Sequence, residues 1–216
     1  MTCEKCQKEL PLDAKFCVNC GTVVTLADHK PSREHEEIWA KFQEIYTSEG
    51  DLRTYYEEYT CRATRKFIER LGDNHFYRFY EVNQQHFSDK GLKETLFLQE
   101  IFENAAFGGY LFFMAEAFVK NKKVNKVHHV DIDKLREDWQ VAIGKYFETG
   151  LKDIPNAIMQ ALVRWSDGLL GDVGKPDTTL GKMENHAREE LKFMVLRLAI
   201  WTYLLGIVEA QYRASS

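Results

Sequence analysis

The chain has 216 residues, 44% of them hydrophobic, with five cysteines and a formal net charge of −4, which suits one or two domains with enough apolar residues for a substantial core. No apolar signal segment follows Met1, so a secreted disulfide framework is excluded as the reading of the cysteines and a cytoplasmic protein with reduced thiols is expected.

Four of the cysteines form two hooks near the start, Cys3-x2-Cys6 and Cys17-x2-Cys20. A C-x2-C turn lets two sulfurs reach one ion, and two such turns complete the tetrahedral shell that zinc prefers. A redox C-x-x-C needs only one such pair, opening a helix in a βαβ unit, and no such unit follows. With all four positions taken by thiolates there is no open site for water or substrate, so one structural zinc ion held by Cys3, Cys6, Cys17 and Cys20 is expected. Between the hooks, Leu10 and Phe16 can cover one side of the metal, Pro11 stiffens the connection, and Gly21 allows a positive φ.

The pattern Met1-x-Cys3-x2-Cys6, then Leu10-Pro11-x2-Ala14-Lys15-Phe16-Cys17-x2-Cys20-Gly21, resembles the short N-terminal zinc ribbons carried by many bacterial and archaeal proteins. The resemblance covers about the first 25 residues and implies a small β-hairpin module with one structural zinc, used as an adaptor on something else. One departure is visible: Gln7 follows the first hook where such ribbons commonly have glycine. Within residues 1–30, Lys5, Lys8, Lys15 and Lys30 balance Glu4, Glu9, Asp13 and Asp28, which argues against a ribbon that grips nucleic acid through excess positive charge. The expected organisation is a zinc ribbon over 1–26, a linker over 27–32 and an all-helical domain over 33–216.

Ser32 is placed to cap the first helix, which carries Glu34, Glu36 and Glu37 in its first turn and Ile38, Trp39, Phe42, Ile45 and Tyr46 at helical spacing. Gly50 ends it, Asp51 opens a second helix that Gly72 stops, and a short aromatic helix runs from about Asn74 to Phe87. A long apolar helix spans about Leu92 to Val119 with Gly108 and Gly109 in its middle, marking a close backbone approach or a kink. Asp133 caps a helix that Gly150 ends, Asp153-Ile154-Pro155 opens another, and Gly168 to Lys182 reads as a loop. The last helix, about Leu180 to Tyr212, is apolar on nearly every face after Leu191 and is expected at the centre of the domain, its small residues Ala199, Thr202 and Gly206 meeting the glycine pair. Its apolar run is short for a membrane span and contains Arg197, so no span is expected. The fold class is mainly α, a multi-helix bundle with a small β ribbon, and no internal repeat is evident.

Sites of chemistry are scarce. The Glu-x2-His pairs of di-iron bundles are missing. Glu103 and Glu116 lie in the most apolar helix and could be buried acids, or could pair with an arginine such as Arg197. The Gly168 to Lys175 segment fails as a phosphate loop and Asp131-x-Asp133 fails as a calcium loop. Cys61 reads as a core thiol. Arg62, Lys66 and Arg70 form one basic stripe, and Lys120, Lys122, Lys123 and Lys126 another cluster beside His128 and His129; together these could contact an anion or a nucleic acid. The expected role is a non-catalytic adaptor or regulator with a protein partner. The alternatives are a nucleic-acid-associated protein and an enzyme or ligand carrier with an aromatic-lined pocket.

Overall fold

Apolar residues at helical spacing dictate six α-helices among the described residues of the computed structural model, which are 5–8, 32–48, 60–87, 92–120, 122, 130–171 and 185–214. The chain divides into two compact units, Met1–Ser32 and Arg33–Ser216. The ribbon hairpin lies outside the described residues except for residues 5–8.

Helix α1 is Arg33–Ser48, with Glu34 and Glu36 in its first turn and Ile38, Phe42 and Ile45 buried along one stripe. Helix α2 is Arg62–Asn83, followed by a short 3-10 turn at Gln84–His86. Helices α3, Leu92–Val119, and α6, Asn185–Ala214, are the two longest. Helix α4, Ile132–Glu148, starts at Asp131, whose carboxylate accepts from the amides of Asp133 and Lys134, so the cap stands two residues before the expected Asp133. Helix α5, Asn156–Gly171, follows Pro155 and runs through Gly168, where a loop was expected to begin.

Two expectations around α2 are corrected. Gly72 does not stop a helix. It lies inside α2, buried, where a Cβ would rest 3.5 Å from the backbone of Phe102 and Glu103, so the glycine marks a crossing with α3. Nor can one helix run from Asp51 through Phe67, because Cys61 has extended φ and ψ of −70° and 153° and forms the N-cap, its Sγ accepting from the Thr64 amide at 3.5 Å. Residues 49–59 lie outside the described residues.

The expected centre is borne out. Helix α3 packs on α6, α2, α1 and α5, and α6 packs in addition on α4, α5 and α2. Gly109 faces the Ala199 carbonyl and the Thr202 hydroxyl, while Gly206 faces the ring of Phe113. These contacts climb both helices together, so α3 and α6 run side by side in the same direction. Gly108 turns instead toward α5, against the indole of Trp165. On the outer side of α3, Phe42 stacks on Phe112 with ring centroids 3.9 Å apart. By length and composition Asn185–Tyr212 could cross a membrane, yet 72% of its apolar window is buried inside the protein.

An internal repeat, missed in the sequence, explains this layout. Leu98-x7-Ala106-x3-Tyr110-Leu111-x4-Glu116-Ala117 on α3 recurs as Leu191-x7-Ala199-x3-Tyr203-Leu204-x4-Glu209-Ala210 on α6. Ala63-x6-Arg70-x2-Asp73 on α2 recurs as Ala157-x6-Arg164-x2-Asp167 on α5, and Glu37-x-Trp39-x6-Tyr46 on α1 recurs as Glu137-x-Trp139-x6-Tyr146 on α4. Matching motifs thus stand on the first, second and third helices of each half, and the two third helices pack on each other. Where equivalent positions meet, one side is large and the other small: Thr202 opposes Gly109, and Phe113 opposes Gly206.

Candidate metal centre and buried carboxylates

Of the four expected zinc ligands, Cys6 lies among the described residues and Cys3, Cys17 and Cys20 lie outside them. Lys5 and Cys6 form a turn, and Cys6 is half-buried. The next residue, Gln7, has φ of 56°. That left-handed backbone is the conformation for which glycine is ordinarily used after a hook, and here it carries a side chain. The chemistry of four thiolates, as the sequence offers them, fits a tetrahedral zinc ion. Because a side chain in the left-handed region costs about 1–2 kcal/mol, Gln7→Gly is expected to tighten zinc binding by about fivefold to thirtyfold, read by competition with a chromogenic chelator; unchanged or weaker binding would mean that the strain is absent.

In the helical unit the repeat creates a polar contact that the sequence reading missed. The side chain of Glu209 is fully buried and that of Glu116 nearly so, at 0% and 6% residue exposure, and a buried carboxylate without donors would cost several kcal/mol. Each finds them across the central helix pair. Tyr110 of α3 donates to Glu209 Oε2 of α6, and Tyr203 of α6 donates to Glu116 Oε2 of α3 at 2.7 Å. Thr64 on α2 adds a bond to Glu209 Oε1 at 2.7 Å, and Cys61 Sγ lies 3.2 Å from the same hydroxyl. Lys120 adds one to Glu116 Oε1 at 2.7 Å and reaches Glu34 of α1 at 3.1 Å.

The electrostatics follow from this pairing. Burial, reinforced by the Glu116 charge, pushes the Tyr203 phenol far above its ordinary range, so it remains a donor. Hydrogen bonding to Glu116 holds the Lys120 ammonium above its usual value. A raised folded pKa on a cation means that this link is intact at neutral pH and is lost only as pH climbs through it. Tyr146 is likewise raised, by burial and then by the charges of Asp153 and Glu116.

The arrangement clamps α3 to α6 in one register, since a slide of one turn would strip both carboxylates of their phenols. Tyr110→Phe and Tyr203→Phe are each expected to cost about 1–3 kcal/mol, measured as a fall in urea midpoint at constant slope. Losses below about 0.5 kcal/mol for both would show that the clamp contributes little.

The remaining expected site residues separate. Arg62, Lys66 and Arg70 are exposed along α2, and among the described residues no hydrogen bond or ion pair engages them. Lys120 is committed to Glu116 and Glu34, as above. Lys122 is exposed beyond the end of α3, and Lys123, Lys126, His128 and His129 lie outside the described residues. Glu103 is half-buried and accepts from Gln99 at 3.1 Å. Arg197 does not pair with Glu116; its guanidinium lies over the rings of Phe193 and Trp201. The buried histidines are held locally: the His35 ring nitrogen Nδ1 lies 3.2 Å from the Ala157 carbonyl, and His75 Nδ1 lies 2.8 Å from that of Leu71. Among the described residues no group of three His, Cys, Asp or Glu side chains could hold a metal ion.

A family model of the zinc-ribbon domain matches residues 2–24. No curated protein and no solved structure matches the chain.

Proposed function

We propose that the protein is a zinc-ribbon adaptor in which Cys3, Cys6, Cys17 and Cys20 hold one structural zinc ion, the ribbon docks to a partner protein, and the helical unit binds or regulates without catalysing a reaction. The zinc-ribbon match over residues 2–24 carries this reading. Gln7 adds to it by taking the backbone turn that the hook requires. The helical unit supports the non-catalytic part, since its buried carboxylates Glu116 and Glu209 are occupied in joining α3 to α6. When bound, the zinc supplies cross-linking of the four thiolates and no vacant coordination position.

A second reading rests on one observation. Arg62, Lys66 and Arg70 lie on one exposed stripe of α2 with no acidic partner among the described residues, which could follow a nucleic-acid backbone. The two readings separate in one experiment, capture of co-purifying species by the intact chain, by Cys17→Ser and by the triple variant Arg62→Gln, Lys66→Gln, Arg70→Gln. A protein retained by the triple variant and lost with Cys17→Ser supports the adaptor. Nucleic acid that is lost with the triple variant and released steeply by salt replaces it with the second reading.

A further inference from the structure

Arg197 occupies an unusual place for a guanidinium. It is half-buried on the central helix α6, 5.0 Å from the ring centroid of Trp201 and 5.4 Å from that of Phe193. Stacking of this kind satisfies the faces of the guanidinium and leaves its N–H edge to find acceptors. Among the described residues the edge finds none: Nε is shielded from solvent and has no hydrogen-bond partner, and no ion pair engages Arg197. The indole Nε1 of Trp201 is in the same condition, buried without an acceptor. Two orphaned donors on neighbouring turns of one helix are costly in a folded protein.

Helix α2 brings further groups to this place. The ring of His75 meets Trp201 edge to face at 5.1 Å. Its Nδ1 is engaged with the Leu71 carbonyl. One turn further along α2 stands Arg78, exposed and, among the described residues, without an ion-pair partner. Burial, and then the charge of Arg78, depress the Arg197 pKa, with Glu190 the weaker opposing influence. Arg78 and Arg197 thus stand on two helices that meet through His75 and Trp201, and among the described residues no carboxylate is bonded to either. The repeat shows that packing does not demand this, for Asn104 and Gly108 stand on α3 where α6 has Arg197 and Trp201.

We propose that the niche between α2 and α6 binds an oxyanion of the phosphate type, with the guanidinium groups of Arg197 and Arg78 as charged donors and the indole N–H of Trp201 as a neutral third donor. A doubly charged phosphate matches two guanidinium groups, and the planar fork of each suits its oxygens. Phe193, 42% exposed, and Tyr77, 57% exposed, flank the cations on α6 and α2, so an organic phosphate with an apolar body has surface to rest on.

The test titrates the full chain with inorganic phosphate and with phenyl phosphate, against chloride at equal ionic strength. Thermal midpoint and the indole N–H resonances are followed together. Saturable stabilisation by either phosphate, with a shift of the one indole resonance that disappears in Trp201→Phe, is the expected result. Affinity should fall at least tenfold in Arg197→Gln and in Arg78→Gln; the second variant alters an exposed residue and keeps the test decisive if the first fails to fold. Stabilisation no greater than that by chloride, or equal affinity in the Arg78→Gln chain, would overturn the proposal. The result is independent of the zinc ribbon, so it stands or falls separately from the adaptor reading.

Discussion

Cys17→Ser is expected to strip the zinc and unfold the N-terminal ribbon while the helical unit keeps its helix content. The size of the effect comes from coupling: apparent free energies for structural zinc in small ribbons are about 10–16 kcal/mol near neutral pH, and without a core of its own such a module has little else to hold it. Serine offers a hard, protonated oxygen where a thiolate is needed, so the shell is left with three good ligands. Metal analysis of the purified chain should fall from one zinc to near zero, and limited proteolysis should then remove residues 1–25. Acidification should act in the same direction, because protons compete with zinc for the sulfurs. A metal content near zero in the unaltered chain, or two metals per chain, would contradict a single closed site. Collapse of the helical signal in Cys17→Ser would show that the two units depend on one another.

The second large effect is expected at the crossing of α3 and α6. A Cβ at Gly109 would fall far inside van der Waals contact with the Ala199 carbonyl oxygen and the Thr202 hydroxyl. A backbone carbonyl cannot rotate away as a side-chain tip can. Gly109→Ala should therefore destabilise by about 1–3 kcal/mol, although alanine gains about 1 kcal/mol of helix propensity over glycine, and Gly109→Leu should cost more. Gly206→Ala meets the ring of Phe113 at 2.5 Å, and that ring is itself buried. Two glycines serve as controls with the opposite sign. Gly144 has nothing within 4 Å and Gly72 has its neighbours at 3.5 Å, so alanine should be stabilising or neutral at both. Leu205→Ala, at a fully buried position on α6, should cost about 2–5 kcal/mol by leaving a cavity. Chemical denaturation orders the series, and a Gly109→Ala chain as stable as Gly144→Ala would mean that the two helices are not held so closely.

Much of the helical unit was legible because its signals are local. The stripe of Ile38, Phe42 and Ile45, the apolar α6 and the small residues Gly109, Ala199 and Gly206 all express their environments through size and periodicity. Helix ends were harder. Gly72 carries the same residue type as a stop, and only its neighbour across the crossing, the backbone of Glu103, reveals a packing role. Cys61 was read as a core thiol and is also a cap, a use of sulfur that propensity does not signal. The Tyr110 and Glu209 pairing was hidden for a different reason: its partners are far apart in sequence and neither is unusual alone. The visible clue was the shared Tyr-Leu-x4-Glu-Ala on α3 and α6, which required comparing the chain with itself. At the N-terminus the zinc-ribbon likeness was readable from cysteine spacing, whereas the left-handed turn at Gln7 was not, since glutamine gives no hint of it.

The parallel pairing of α3 with α6 also sets an order of events during synthesis. Helices α1, α2 and α3 leave the ribosome first, and they can pack on one another through local connections. Among the described residues the side of α3 that carries Gly109 and Phe113 meets Asn185–Ala214, a helix made only after α4 and α5. Until then α3 lacks that apolar neighbour, and Tyr110 lacks the Glu209 carboxylate to which it donates in the folded protein. The closing contact is one of high sequence separation, and such contacts form slowly. A chain released before α6 would therefore present that side of α3 to solvent and to the same side on another copy.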